Sequence, residues 1–380
     1  MNAYVASHLK DMNRHVVYNF IKEQEVTSRA QIAKLTGISA PTVIKIISFL
    51  VDAGLVLELG EGESSIGRKP HMLTLNRDKF YSAVFFVEGN LLNFGVADIV
   101  GKIRYKKALR CELDFAKIMT QISSGLVDGL FAEVGIDLSK LMGIGIALPG
   151  VYNQAEQTLV TAPLIGVHEP ICLSRIISDM EKKYNVRLLV ENDVNCQCYG
   201  EFNASKMPKD SDLLLISIGT GLGAGLILDG KLRRGVNYMC GEIGYMSFME
   251  DYMSGLDSSG WLESRISLQV LEKEFGIFYD MVSSQRNEEK VYAAVEYVST
   301  PLALCISNMT MMLDCPAVRL SGLMLDILGD RLVDRVNEKL KRMCINQTKV
   351  QKQHSDDIGL IGISAMLTEQ FIPHILMDKE

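Results

Sequence analysis

The chain has 380 residues, 48% of them hydrophobic and only 9 of them proline, which is typical of a globular protein with two or three domains. The formal net charge of −7 excludes a protein that binds nucleic acid through overall basic charge. The charge is uneven, however. Residues 1–76 carry 8 basic and 7 acidic side chains, and the remainder carries 31 basic and 39 acidic side chains. The N-terminal part is therefore nearly neutral, and the remainder of the chain is acidic.

The eight cysteines show no disulfide-like spacing, and the sequence has neither a signal peptide nor an apolar run of membrane length. These features predict a cytoplasmic protein with reduced thiols. Cys196 and Cys198 form a close pair without accompanying His or Cys at zinc-finger spacing. We expect both to be core or helix residues rather than metal ligands.

Residues 28–55 predict a helix-turn-helix that follows a first helix at 10–23. Ser28 and Gln31 are typical of a capping box, and the glycine after the first helix of the pair marks its end. Ile32 and Leu35 are expected to share the packed face of that helix.

The second helix of the pair is predicted to begin at Ser39, with Pro41 in its first turn. Its packed face is spaced at three to four residues and consists of Val43, Ile46, Ile47 and Leu50. The opposite face is left free to enter a DNA major groove, and it consists of Thr42, Ile44, Lys45 and Ser48. An ordinary helical hairpin is the alternative.

Two strand-like runs, at 55–59 and 71–75, flank a Gly/Ser-rich loop and predict a wing. Arg68 and Lys69 lie on its return and favour phosphate or minor-groove contact, although a solvated loop has the same composition. The order of helix, helix-turn-helix and wing favours DNA binding. The expected base contacts are Thr42, Ile44 and Lys45, and the expected phosphate or minor-groove contacts are Ser39, Arg68 and Lys69.

From residue 81 onward, strands and helices alternate in two rounds, which predicts two α/β lobes with a cleft between them. The predicted strands are 82–87, 93–98, 102–109, 142–147, 186–190, 213–218, 226–228, 231–232 and 317–320. The predicted helices are 116–134 and 171–183, with mostly helical segments at 265–312 and 324–346.

Two short stretches carry chemistry-bearing residues. Asn192 and Asp193 follow a predicted strand, where a carboxylate can accept a proton or a hydrogen bond from a hydroxyl. The glycine-rich run 219–225 follows another strand, and its backbone N–H groups can approach an anion closely. Helix capping and a ligand-free glycine turn explain the same residues equally well.

Five motifs in order nevertheless resemble the ROK family of sugar kinases and sugar-responsive repressors. They are ALPG at 147–150, ENDVN at 191–195, GTGLGAG at 219–225, GEIGY at 241–245 and GWLE at 260–263. With the N-terminal helix-turn-helix, the whole chain is similar to the repressor branch that responds to N-acetylglucosamine or xylose. The resemblance implies an α/β fold, a winged helix-turn-helix followed by an actin-like, hexokinase-type two-lobed domain. The implied boundaries are 1–76 for the winged helix, 77–195 plus 362–380 for lobe 1, and 196–361 for lobe 2.

The resemblance also implies a sugar pocket lined by Pro149, Gly150, Asn192, Asp193, Glu242, Tyr245 and Glu263. Tyr245 stands where the family has a zinc-binding His, and Ser254, Leu256 and Trp261 stand where it has cysteines, so we expect no metal. The phosphate-loop residues that the resemblance retains are Gly219, Thr220, Gly221 and Gly223.

The first phosphate loop of the kinases is replaced by Val87-Glu88-Gly89, and the Gly-Gly near 320 becomes Leu320-Ser321-Gly322. Phosphoryl transfer depends on those loops, so we expect no kinase activity and no cofactor, with Asp193 a vestige of the catalytic base.

The sequence therefore predicts a sugar-responsive transcriptional regulator, expected to be a repressor. It would bind operator DNA as a homodimer or tetramer, without a membrane partner, and hold a sugar or sugar derivative between its lobes. An active ATP-dependent sugar kinase of the ROK family is the alternative. A regulator controlled by a protein partner is a third.

Overall fold

The computed structural model describes residues 6–61, 71–248, 260–278, 287–315, 317–345 and 347–377. Its N-terminal part is a winged helix-turn-helix with a three-stranded antiparallel sheet of order β1-β3-β2. The elements are α1 (Ala6–Gln24), β1 (Val26–Ser28), α2 (Arg29–Thr36), α3 (Ala40–Asp52), β2 (Val56–Glu61) and β3 (His71–Leu75).

The two ends of α2 form as the sequence predicts. The Ser28 side chain accepts a hydrogen bond from Gln31 N, and Gln31 Oε1 accepts one from Ser28 N at 3.1 Å. Gly37 adopts the left-handed conformation at φ 72°, which glycine tolerates without steric cost. Ser39 precedes α3, but its side chain makes no capping bond. Its Oγ lies instead 2.8 Å from Thr42 Oγ1.

The prediction that Leu35 packs with Ile32 is wrong. Ile32 is fully buried, whereas the Leu35 side chain is 64% exposed. The inward face of α2 runs through Arg29, Ile32 and Thr36, and a step of three residues from Ile32 turns Leu35 outside that narrow stripe. The predicted packed face of α3 is confirmed, since Val43, Ile46, Ile47 and Leu50 are all buried.

Lobe 1 is built on a five-stranded sheet of order β11-β7-β4-β5-β6, next to a small antiparallel sheet of order β10-β9-β8. Helices α4 and α5 are joined by a π-helical turn, Ile122–Leu126, and the kink there breaks the predicted helix 116–134. The elements are β4 (Tyr81–Glu88), β5 (Leu91–Asp98), β6 (Ile103–Arg110), α4 (Phe115–Gln121), α5 (Val127–Glu133), β7 (Leu141–Leu148), β8 (Val151–Asn153), β9 (Thr158–Thr161), β10 (Ile171–Cys172), α6 (Ser174–Tyr184) and β11 (Arg187–Asn192).

A connecting helix, α7 (Asp193–Ala204), leads into lobe 2, and α12 (Ile358–Leu376) packs back on lobe 1. The lobe 2 sheet has the order β14-β13-β12-β15-β16. Its elements are β12 (Leu213–Ile218), β13 (Leu222–Leu228), β14 (Lys231–Leu232), α8 (Leu268–Val270), α9 (Glu288–Leu313), β15 (Ala317–Ser321), α10 (Met324–Leu328), α11 (Asp330–Met343) and β16 (Lys349–Lys352).

The two lobes repeat one topology. In each, a central strand is followed on one side by two further strands in an antiparallel meander, and two parallel strands are added on its other side. This repeat is the actin-like, two-lobed α/β arrangement, and it confirms the predicted fold class. Helix α7 begins at the end of lobe 1 strand β11 and packs on β12 and β13 of lobe 2, so it links the lobes.

Helices α7 and α12 cross at two glycines. A methyl group added to Gly200 would lie 1.8 Å from Ile358 O, and one added to Gly362 would lie 1.8 Å from Cys196 O. No residue larger than glycine fits at either position without moving the helix backbones apart. Cys196 and Cys198 are buried on α7, as expected of helix core residues.

The winged helix shares a hydrophobic core with lobe 1. Val17 and Tyr18 of α1 belong to the same buried cluster as Ile99 of lobe 1 and Ile372 and Leu376 of α12. Within the described residues α12 is long and apolar enough to cross a membrane, and 61% of that stretch is buried inside the protein. The apolar character of α12 is thus largely that of a core helix.

Candidate functional site

Two of the motifs meet because their strands are neighbours. β11 pairs in parallel with β7, with Asn192 opposite Leu148. The Pro149-Gly150 turn and the start of α7 therefore lie side by side at the carboxyl edge of the lobe 1 sheet. Gly150 has φ 103°, and its carbonyl accepts a hydrogen bond from Asn192 Nδ2 at 2.9 Å.

Asn192 is largely committed to protein partners. Its Nδ2 also donates to Asp193 Oδ1 at 3.0 Å, and its Oδ1 accepts from Asn195 N at 2.8 Å, which caps α7. An amide has two donor hydrogens, and here both point at protein oxygens. Asn192 thus orients Gly150 and Asp193 in this structure.

The predicted carboxylates share one electrostatic environment. Burial raises the pKa of Asp193 to about 7, the charges of Glu88 and Glu242 add to the shift, and backbone hydrogen bonding opposes it. Burial also raises the pKa of Glu88 to about 7, with Asp326 and Asp356 adding to it. The cleft at the start of α7 is therefore acidic.

The lobe 2 side contributes two more carboxyl groups and a phenol. Burial, followed by the charge of Glu263, raises the pKa of Glu242. Burial raises the pKa of Glu263, which a hydrogen bond from Leu222 N opposes. Tyr245 is 38% exposed, and burial and the charges of both glutamates raise its pKa. The structure thus brings Asp193, Glu242, Tyr245 and Glu263 close enough to influence one another's pKa, although their role stays a prediction.

The glycine-rich motif forms the turn of the β12–β13 hairpin. Gly219 N donates to Gly221 O at 2.9 Å, and Leu222 N donates to Glu263 Oε2 at 2.9 Å. Thr220 lies in the same turn, whereas Gly223 lies inside β13, where an added methyl group would be 3.0 Å from Val194 Cγ2. One backbone N–H of the predicted phosphate loop, that of Leu222, therefore already donates its hydrogen bond to the Glu263 carboxylate.

Leu323 lies between the β4–β5 turn at Gly89 and the β12–β13 turn at Gly219, the two loops that the sequence resemblance relates to phosphate binding. It is 9% exposed. Its Cδ1 would be 3.1 Å from a methyl group added to Gly89, and its Cγ 4.0 Å from one added to Gly219. An apolar side chain thus fills space between the β4–β5 hairpin and the β12–β13 hairpin.

A small cavity between the lobes is lined by Gly150, Asn192 and Glu242 from the predicted set. Sequence reasoning missed Asn195 and Tyr238, which also line it. Asn195 belongs to the ENDVN motif, so the motif itself held the signal. Tyr238 lies in an irregular loop, at φ 58°, with no sequence pattern to mark it.

The predicted DNA face of α3 is open to solvent. Ile44 is 53% exposed, Lys45 is exposed and Thr42 is half-buried. Ser39 is exposed and lies beside Thr42. Arg68 and Lys69 of the predicted wing lie outside the described residues.

Two of the three residues that replace the family's zinc-binding cysteines also lie outside the described part of the chain. Ser254 and Leu256 lie outside the described residues, and Trp261 is half-buried. Within the described part of the chain, no group of three or more His, Cys, Asp or Glu is arranged to hold a metal ion.

Comparison with known proteins identifies the family. The model of the ROK family matches residues 89–370, so the chain belongs to the ROK family. The chain is 30% identical over 241 residues to the xylose repressor of Bacillus subtilis (strain 168), a match that covers 63% of this chain and 61% of the repressor. The matched region thus spans about three fifths of that relative's length.

Two solved structures share the fold. One is a ROK family transcriptional regulator described as a homologue of the E. coli MLC protein, with a TM-score of 0.75 and 18% identity over 97% of this chain and 98% of that chain. The other is a ROK family glucokinase from Streptomyces griseus in complex with glucose and AMPPNP, with a TM-score of 0.63 and 23% identity. That match covers 76% of this chain and 99% of the glucokinase.

Proposed function

We propose that the protein is a sugar-responsive transcriptional regulator that binds operator DNA through α3 and a sugar between its lobes. The observation that carries the proposal is the shared core of the winged helix and lobe 1. It joins a solvent-facing recognition helix to a body that keeps the family's carboxylates. Similarity to a xylose repressor supports the same assignment.

The DNA-binding part of the proposal rests on the exposed face of α3. Thr42, Ile44 and Lys45 would contact base edges in the major groove, while Ser39 and the wing residues Arg68 and Lys69 would contact phosphates or the minor groove. A dimer or tetramer would place two such helices on a pseudo-palindromic operator, as two-fold symmetric readers do.

The effector part of the proposal rests on the acidic cleft. Carboxylates such as Asp193, Glu242 and Glu263 accept hydrogen bonds from sugar hydroxyls, and the Tyr245 hydroxyl is able to donate one. Sugar binding would change the angle between the lobes and thereby alter the affinity for DNA. Because the two sites are coupled, bound DNA would change the affinity for the sugar by the same factor.

The absence of phosphoryl transfer is part of the proposal. Leu323 fills space between the two loops, and Glu263 accepts the Leu222 N–H of the second loop. Glu88 places a carboxyl group, rather than a positive charge, at the first loop, where ATP phosphates would need positive charge or metal. These three features oppose binding of a nucleoside triphosphate.

A ROK sugar kinase remains the second candidate because of Asp193. Its pKa of about 7 is the value that suits a general base at neutral pH. Consumption of ATP that depends on an added hexose or pentose would favour this candidate over the regulator. Control by a protein partner would be indicated instead if operator DNA bound tightly and no sugar altered that binding.

The test is selection of binding sites from random duplex DNA by the full chain, followed by anisotropy titrations of the selected site with a panel of sugars. We expect a pseudo-palindromic site whose affinity changes with one sugar. Lys45→Ala should weaken binding by about tenfold, and Lys231→Ala on lobe 2 is the matched control. Failure to select any site would contradict the proposal.

A further inference from the structure

Glu191, at the end of β11, is a buried carboxylate that sequence reasoning did not assign to the site. It is 2% exposed. Its Oε1 accepts hydrogen bonds from Asn192 N and Asn195 Nδ2, both at 3.0 Å. The carboxylate therefore fixes the segment that places Asp193 in the cleft.

The other oxygen of Glu191 is held from lobe 2. Glu191 Oε2 accepts from Arg234 Nε at 2.8 Å and lies 2.6 Å from Arg234 Nη2. Arg234 follows β14, which pairs with β13 in the lobe 2 sheet. The ion pair thus crosses the cleft and joins the two lobes.

The backbone of Arg234 is anchored in lobe 2 on both sides. Arg233 N donates to Leu226 O at 2.8 Å, and Cys240 N donates to Arg234 O at 3.1 Å. The loop closed by these bonds carries Tyr238 and leads to Glu242, which line the cavity. Arg234 therefore connects the lobe 2 wall of the cavity to the lobe 1 carboxylate.

We infer that Arg234 is the positioning residue that makes closure of the lobes and ordering of the ligand residues a single event. A buried carboxylate is stable only when it is paired and hydrogen-bonded. When the lobes separate, Glu191 loses its arginine and becomes an unpaired charge, so it no longer stays buried in the position that holds the segment Asn192–Asn195. The affinity for the effector would therefore depend on the Glu191–Arg234 ion pair, which the effector itself does not contact. This part of the inference rests on the proposed function.

The first test needs no effector and measures backbone hydrogen exchange in the full chain. Arg234→Met should speed exchange of the Asn192 and Asn195 amides by about tenfold or more, whereas Arg233→Met, the matched control on the adjacent exposed arginine, should not. In the double variant Glu191→Gln/Arg234→Met, the glutamine oxygen still accepts the two lobe 1 bonds. Exchange of the Asn192 and Asn195 amides should then return toward the wild-type rate.

The second test measures sugar affinity by calorimetry. Arg234→Met should weaken binding by about tenfold, and Arg234→Lys, which keeps the charge without the two-nitrogen geometry, should recover part of the loss. The sugar affinity of the double variant should stay low. Its glutamine restores the hydrogen bonds within lobe 1, but no ion pair joins the two lobes.

Two outcomes would overturn the inference, and a third would separate it from the proposed function. Equal exchange in Arg234→Met and Arg233→Met would overturn the inference. Full recovery of sugar affinity in the double variant would also overturn it, since the defect would then be only an unpaired charge. If the exchange pattern holds and the wild type binds no sugar, the positioning role stands and the proposed effector function fails.

Discussion

Asp193 combines burial with neighbouring like charges, and its protonation links the cleft to pH. An unfolded Asp loses its proton near pH 4, whereas folded Asp193 keeps it until about pH 7. The folded protein therefore binds more protons between these values, and the free energy of unfolding falls as the pH rises through that window.

Asp193→Asn should remove this loss of stability at high pH, because an amide carries no charge and its oxygen still accepts a hydrogen bond from Asn192. We expect the variant to be more stable than the wild type by ~1 kcal/mol or more at pH 8, with the gap closing toward pH 4. Urea unfolding at several pH values measures it. Asp210→Asn, at an exposed carboxylate, is the control, and an equal gain there would contradict the assignment.

At the residue scale, the local sequence pattern was enough to predict a contact between residues that are close together in the chain. The Ser28–Gln31 capping box was predictable because its partners are three residues apart. The Glu191–Arg234 pair was not, since its partners are 43 residues apart and meet only after both lobes fold. Leu35 shows the limit of periodicity on a helix of eight residues.

At the scale of single elements, the two serines that precede α2 and α3 form a natural pair for comparison. Ser28 accepts a backbone hydrogen bond from α2, whereas the Ser39 side chain accepts none from the backbone of α3 and instead contacts the Thr42 hydroxyl. Ser28→Ala should destabilise α2 by ~1 kcal/mol. Ser39→Ala should leave α3 nearly unchanged. Hydrogen exchange of the two helices measures both, and equal effects would show that the cap contributes little.

The crossing of α7 and α12 gives a second prediction. Gly200→Ala would bring a methyl group within 1.8 Å of Ile358 O, so the helices must separate. We expect a loss of about 1–3 kcal/mol of stability. Gly129→Ala on α5, with nothing within 4 Å, should instead be neutral or stabilising. Chemical denaturation of both variants checks the contrast, and a tolerated Gly200→Ala would mean that the crossing is adaptable.

The long elements were predictable from sequence because strands such as β12 are continuous buried runs. The small sheet of β8, β9 and β10 was missed, since its strands have two to four residues and carry no periodicity. The predicted helix at 171–183 began too early for the same reason. Its first two residues form β10, and α6 starts at Ser174.

At the scale of the whole molecule, α12 connects the cleft region to the winged helix. It crosses α7 at one end and packs against α1 at the other. Leu376 is fully buried, and its carbonyl accepts a bond from Arg14 Nη1 at 2.8 Å. Movement of lobe 1 would therefore carry the winged helix with it.

Leu376→Ala should open a cavity at this junction and cost about 2–5 kcal/mol of local stability. We expect faster hydrogen exchange in α1 and a weaker effect of the sugar on operator binding, with sugar affinity itself retained. The adjacent Met377→Ala is the control, because Met377 is 46% exposed. Unchanged hydrogen exchange in α1 of Leu376→Ala would show that the junction does not hold the winged helix.

The two-lobed architecture was predictable from the order of the motifs, and the repeated strand topology bears it out. The docking of the winged helix was not predictable. It depends on Ile99, Met142 and Ile372, which are far apart in sequence and individually look like ordinary core residues of lobe 1.

That docking sets where the chain can be cut. A break after residue 76 would separate two pieces that the sequence presents as modules, yet each piece would carry half of a common core. The body would expose Ile99, Ile372 and Leu376, and the winged helix would expose Val17 and Tyr18. Such apolar surfaces promote aggregation. A fragment that contains only the winged helix, or a chimera that joins it to an unrelated domain, would therefore need a substitute for α12 to remain monodisperse.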